Sequence, residues 1–198
     1  MIKKVRPHSS NTTATRLLDI AEVLFSEHGY AMTTVRDIAT RAKVNQALIN
    51  YHFQNKKGLF NAVFERRASI ILAERNFLLS EAKQKAKNKS IPLRDLIYAF
   101  IYPPLRMASE DKGGKSFVKL QARLHNEPKS IENALRSKLY DATSLRFMEE
   151  LKITLPKLSE ESIAWRLIFV MGLYLYVASN TGRIEVISKG RCKGGNLA

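Results

Sequence analysis

An all-α fold is predicted by three features of the sequence. Apolar residues recur at three- and four-residue spacing along most of the chain, nothing alternates with the period of a strand, and the periodic runs break at Pro and Gly. The runs divide into three short N-terminal helices in a helix-turn-helix arrangement and a longer helical remainder. The expected boundaries are a flexible basic arm over 1–14, the helix-turn-helix unit over 15–60, a larger helical domain over 61–188 and a tail over 189–198.

In the arm, Lys3, Lys4 and Arg6 precede a run of Ser and Thr, which suits either contact with a polyanion's backbone or minor groove or a frayed terminus. Leu17, Leu18, Ala21, Leu24 and Phe25 then form the apolar face of a first helix, and Gly29 is placed to end it. Thr34, with Asp37 three residues later, spells a capping box: the hydroxyl accepts from the third-residue amide and the carboxylate returns to the cap amide. Val35, Ile38, Ala39 and Ala42 continue it as one stripe, with Arg36, Asp37, Arg41 and Lys43 outside. Asn45 caps a further helix from Gln46 to Phe53. Ile49 and Phe53, four apart, point inward there, while Gln46, Ala47, Asn50 and Tyr51 point elsewhere. Two such small helices cannot bury a core alone, so the first helix supplies the third side.

These residues resemble the tetracycline-repressor (TetR) family of helix-turn-helix transcription regulators. The resemblance rests on Phe25-Ser26-Glu27-His28-Gly29-Tyr30, Thr33-Thr34-Val35-Arg36-Asp37-Ile38-Ala39, Val44, Tyr51-His52-Phe53, Lys56 and Leu59, and covers about the first 60 residues. It implies that the second short helix lies in the DNA major groove with its N-terminal residues nearest the bases. Gln46 and Asn50 suit adenine, and Ala47 is small enough to approach a thymine methyl. Tyr51, His52, Lys56 and Thr34 are the implied phosphate contacts, which set register. Two positions depart from the family. Lys43 stands at the turn where the family usually has Gly; a left-handed backbone there would cost on the order of 1 kcal/mol, and the turn is expected to differ slightly, although its side chain can reach a phosphate. Asn50 stands where many members carry Tyr.

The remainder reads as a long helix from Lys56 to about Lys87, then one from Ile91 to Ser109 capped by Ser90 and kinked near Ile101 by Pro103-Pro104. A shorter helix to His125 follows the Asp111-Lys112-Gly113-Gly114 loop, closed by Asn126-Glu127-Pro128. Two longer helices complete the pattern, Ser130 to Lys152 and Glu160 to Thr181, separated by Pro156, the second capped at Ser159 and ended by Gly182. The stretch from Ile163 to Ser179 is apolar on most faces, so one face can serve the chain's own core and another a partner. The resemblance implies that the last two long helices form a four-helix bundle with a second subunit. A homodimer also follows from recognition itself, since one short helix reads too few base pairs.

The resemblance further implies a small-molecule effector in the larger domain, mainly apolar, aromatic or acyl, whose binding releases a palindromic operator; repression is the family's common mode. Candidate pocket residues are Tyr98, Tyr102 and Met107 beside the two prolines, Phe117, Gln121 and His125 on the next helix, and Phe147 and Tyr174. Arg123 or His125 could anchor a carboxylate, although each reads more readily as a surface or structural residue.

Composition sets the outer bounds. A formal net charge of +15 and a pI near 10.0 call for an anionic partner. Residues 1–60 hold nine Lys and Arg against four acids, net +5, leaving +10 elsewhere, so charge alone does not locate the site. Lys83, Lys85, Lys87 and Lys89 read as a solvated helix end. The lone Cys192 excludes an internal disulfide, four His without a close pair offer no zinc site, and no cofactor is expected. No apolar run reaches membrane-span length and no signal peptide is evident, so a cytoplasmic location is expected. No enzyme signature is complete: Gly113-Gly114-Lys115-Ser116 lacks a Gly at Ser109 and a preceding strand. The open alternative is a sequence-nonspecific or architectural DNA-binding protein, for which +15 would suffice.

Overall fold

The computed structural model describes residues 9–87, 89–111, 113–179 and 182–193. Among them run α1 (Ser9–Met32), α2 (Val35–Ala42), α3 (Gln46–Phe53), α4 (Lys56–Ala86), α5 (Leu93–Glu110), α6 (Gly114–Arg123), α7 (Lys129–Leu135), α8 (Asp141–Thr154), α9 (Glu160–Ser179) and α10 (Arg183–Ile187), with no strand. A 3-10 turn spans Leu124–Asn126, and a π turn over Arg136–Tyr140 joins α7 to α8.

The stretch expected as an arm over 1–14 is helical from Ser9 onward; Lys3, Lys4 and Arg6 lie outside the described residues. Gly29 interrupts α1 at φ 78 and ψ 175, a conformation open to glycine, and the buried Thr33 hydroxyl donates to the Gly29 carbonyl at 2.8 Å. Both bonds of the Thr34–Asp37 capping box are present: the Asp37 amide donates to Thr34 Oγ1 at 3.1 Å, and the Thr34 amide donates to Asp37 Oδ2 at 3.0 Å. The Thr34 hydroxyl and amide hold the Asp37 carboxyl below its usual range. A depressed carboxylate stabilises the fold above its unfolded pKa, and that contribution fades as pH falls through the lower folded value. Asp37→Ala is therefore expected to be less stable than wild type at neutral pH, with the difference shrinking below about pH 4 in urea titrations of both proteins.

One apolar cluster joins Leu17, Ala21, Leu24 and Phe25 of α1 to Ile38 and Ala42 of α2, Ile49 of α3 and the first turns of α4, where Phe60 meets Phe25 edge-on at 4.8 Å. It continues through Met107, Phe117 and Tyr140, so the core of the short helices runs on into the larger set. A second cluster gathers Leu79 of α4, Ile91 of the α4–α5 loop, Leu96 and Phe100 of α5, Phe147 of α8, and Leu167 and Tyr174 of α9. α4 spans both, burying Leu59, Val63, Ala68, Ile71, Arg75, Leu79 and Ala82 along one stripe.

Three expectations need correction. Ser90 does not cap α5: Pro92 occupies the cap position, and a residue before proline is turned away from helical geometry, so α5 starts at Leu93 and the Ile91 carbonyl accepts from Thr154 Oγ1 at 2.9 Å. As expected, Pro103 and Pro104 lie inside one helix, α5, which runs on to Glu110. The expected single helix from Ser130 to Lys152 is divided into α7, the π turn and α8. Ser159 does cap α9, accepting the Ser162 amide at 3.2 Å. Gly182, at φ 71, opens α10 instead of ending α9; five residues are too few for a periodic signal.

Candidate functional site

α3 exposes Gln46, Ala47, Asn50 and Tyr51 along one face and buries Ile49 on the other. Tyr51 is 79% exposed. Local chemistry fixes the pose of this short helix. Asn45 Oδ1 accepts the Ala47 amide at 2.8 Å, and Asn55 Oδ1 accepts the Gly58 amide at 2.9 Å to start α4 directly after α3. At Gly58 an added Cβ would collide with the Phe53 carbonyl oxygen, so glycine permits the close α3–α4 approach. Lys43 adopts the left-handed conformation (φ 53, ψ 47) that glycine would take, with its amide donating to Ala39 and Thr40. The expected departure in turn geometry is therefore absent, and the strain is carried by lysine, whose side chain is exposed.

Thr34 and Lys43 are exposed, while His52 is half-buried, edge-on to Tyr51 at 5.0 Å. Lys56 is otherwise employed. Its ammonium donates to the carbonyls of Thr33 (2.9 Å) and Ala31 (3.4 Å) and lies 4.3 Å from the Tyr30 ring centre, stapling the corner between α1 and α2. The same corner is held from the larger domain. Arg123 donates to the Glu27 carbonyl at 3.0 Å, and the buried Glu127 carboxylate accepts the Tyr30 amide at 3.0 Å. Burial, with Glu127 behind it, raises the pKa of Tyr30.

The candidate effector residues separate. Tyr98 stacks on Tyr102 at 4.7 Å and is half exposed, and His125 is exposed, so neither Tyr98 nor His125 lines the interior. Met107 and Phe117 are buried in the cluster shared with the short helices, Phe117 against Phe64 at 5.5 Å. Gln121, Phe147 and Tyr174 are buried toward the middle of the larger helical set, Phe147 edge-on to Phe100 at 5.0 Å. Arg123 is taken up by α1.

The residue that sequence reasoning passed over is Arg75, 2% exposed and inside α4. Its Nε donates to the Phe100 carbonyl at 2.9 Å, the carbonyl whose helical partner would be the missing amide of Pro104. The carbonyl that the prolines leave without a helical donor is thus occupied by an arginine. The signal was present: Ile71, Arg75 and Leu79 stand at i, i+4 and i+8 on the buried stripe.

Comparison with known proteins agrees with this architecture. The family profile described as "Bacterial regulatory proteins, tetR family" matches residues 17–63, and "Tetracyclin repressor-like, C-terminal domain" matches residues 98–197. The chain is 25% identical over 170 residues to IcaR of Staphylococcus aureus (strain Newman), the negative transcriptional regulator of the biofilm operon icaADBC, a match covering 81% of each protein. A transcriptional regulator from Aquifex aeolicus VF5 superposes with a TM-score of 0.57 at 25% identity, covering 83% of this chain and 85% of that one. SmeT in its triclosan complex shares the fold with a TM-score of 0.62 at 22% identity, covering 91% and 85%. No helix among the described residues is long and apolar enough to cross a membrane. With its capped helix-turn-helix, its larger helical domain and both profile matches, the chain belongs to the TetR family of DNA-binding transcription regulators.

Proposed function

We propose that this regulator is a homodimeric repressor that recognises a palindromic operator and leaves it when a small, mainly apolar effector binds the larger domain. The observation that carries the reading is the exposed α3 face of Gln46, Ala47, Asn50 and Tyr51, held by side-chain caps at Asn45 and Asn55. Gln46 and Asn50 present amide donors and acceptors suited to adenine, and Ala47 leaves room for a thymine methyl. Thr34, Lys43, Tyr51 and His52 touch phosphates, while Lys56 sets the corner that aims them. Domain limits follow the same reading: DNA binding over 15–60, effector binding and dimerisation over 61–188. The repressor role is supported by the likeness to IcaR, described as a negative regulator, and effector response by the likeness to SmeT, solved with triclosan.

Fluorescence anisotropy on a duplex from upstream of the gene, against a shuffled duplex at about 150 mM salt, tests sequence specificity. Preference of about 10³-fold or more is expected; equal, salt-labile binding would favour a nonspecific DNA-binding protein. Gln46→Ala is expected to cost about 1–3 kcal/mol at one base pair per half-site. Lys56→Ala should weaken operator and shuffled duplex alike, since both need the same corner.

A further inference from the structure

Arg75 is buried without an anionic partner. Its guanidinium meets the Phe100 carbonyl, the Tyr174 hydroxyl at 3.4 Å, and the rings of Phe100 and Tyr174 at 4.0 and 5.7 Å. None of these carries a negative charge, and no carboxylate among the described residues pairs with it. Burying an unpaired ion is among the most costly arrangements a fold can hold. Gln121 Oε1 and Tyr140 Oη, both on buried residues, find no well-formed hydrogen bond among the described residues, although the Gln121 side chain lies within reach of the phenol. Burial raises the pKa of Tyr140, as does Tyr174, while the Gln121 contact and the Arg75 charge act the other way, so the phenol lies near enough to feel all three and stays a neutral donor. Orphaned buried polar atoms call for an explanation. Water would satisfy the phenol and the amide, yet it would leave the guanidinium charge uncompensated.

The backbone points to the same place. Tyr140 is delivered by the π turn Arg136–Tyr140, a geometry that recurs at functional sites. Arg75 holds a carbonyl freed by Pro104, and the buried Phe100 ring, with Phe147 edge-on to it, packs against its guanidinium. We propose that Arg75, Gln121, Tyr140 and Tyr174 form the anchoring end of the effector site, which takes the carboxylate of an otherwise apolar molecule. The inference rests on the reading of the chain as effector-controlled and narrows the effector to an acid. A carboxylate matches the planar fork of a guanidinium, and the phenol and side-chain amide supply further donors to it.

Thermal unfolding of the full chain at neutral pH, with decanoate, decanol, benzoate and benzyl alcohol as probes, tests the assignment alongside operator anisotropy. At least one acid is expected to bind wild type tenfold or more tightly than its alcohol. Arg75→Met should abolish that preference and Tyr140→Phe should reduce it. Without a probe, Arg75→Met trades relief of an uncompensated buried charge against a stranded Phe100 carbonyl, so each variant's response to the probes is read against its own unliganded Tm. Equal stabilisation by acid and alcohol, or an acid preference that survives Arg75→Met, would each overturn the anchor. An alcohol that releases operator without any acid advantage leaves effector control standing and removes the anchor alone. No effect of any probe on Tm or on operator binding counts against both.

Discussion

Glu22→Ala is expected to destabilise the protein by about 3 kcal/mol, the lower end of the range for breaking a buried ion pair because the arginines retain some solvent. The Glu22 carboxylate is buried on α1 and receives Arg67 Nε at 2.7 Å and Nη2 at 3.0 Å, a two-point contact, together with Arg66 Nη2 at 2.9 Å. Burial alone would lower the pKa of Arg67, but the Glu22 hydrogen bond and charge hold it raised. Gly113, at φ 82, closes over this pair so tightly that an added Cβ would stand 2.5 Å from Arg67 and 2.6 Å from Glu22. One carboxylate thus ties α1, α4 and the loop into α6 together. Its removal takes the shared carboxylate from two partly buried arginines, Arg66 keeping Asp19 at 2.7 Å. Urea unfolding of wild type, Glu22→Ala and Glu22→Gln reads the effect directly. A loss below about 1 kcal/mol would place the cluster among solvent-screened surface pairs.

Phe169→Glu is expected to convert the dimer into monomer and to reduce operator affinity on the order of 10³-fold, toward the nonspecific level. α9 carries two apolar stripes. Ile163, Leu167 and Tyr174 turn into the chain's own core, while Trp165, Ile168, Phe169, Leu173, Tyr176 and Val177 face outward, Phe169 at 66% exposure. Gly172 lies on the outward side with nothing near its added Cβ, which lets another helix approach closely. Leu145 and Ile153 of α8 extend the exposed apolar surface. A patch of this kind marks an interaction surface, and a second copy of the chain covers it in the proposed bundle. Sedimentation velocity and operator anisotropy on the same samples check both parts. A dimer that persists in Phe169→Glu would move the interface off α9.

The N-terminal third was legible because its signals are local. Thr34, Asp37 and Asn45 specify helix starts within three residues, and Ile38, Ala39 and Ala42 specify a buried stripe without knowledge of its partner. The departures arise where tertiary context decides. Ser90 is a good cap by composition, but Pro92 two residues later sets the backbone and makes Ile91 an anchor for Thr154. The π turn before α8 has no sequence signature, and α10 is too short for one. Arg75 received no role from the sequence, because what it does depends on distant partners; only the fold brings it to Phe100, 25 residues away, and Tyr174, 99 away. Likewise Tyr98 and His125 looked like interior pocket residues by type; their helix faces turn them to the surface, where Tyr98 lines an open groove with Leu78, Ala82 and Ala99.

Selection of bound duplexes from random DNA, run in parallel with wild type and Gln46→Ala, tests most directly the claim that the α3 face reads sequence. Wild type should enrich an inverted repeat, and Gln46→Ala should enrich the same repeat with information lost at one base pair in each half-site. Enrichment of no sequence by wild type, or an identical repeat from both proteins, would contradict it.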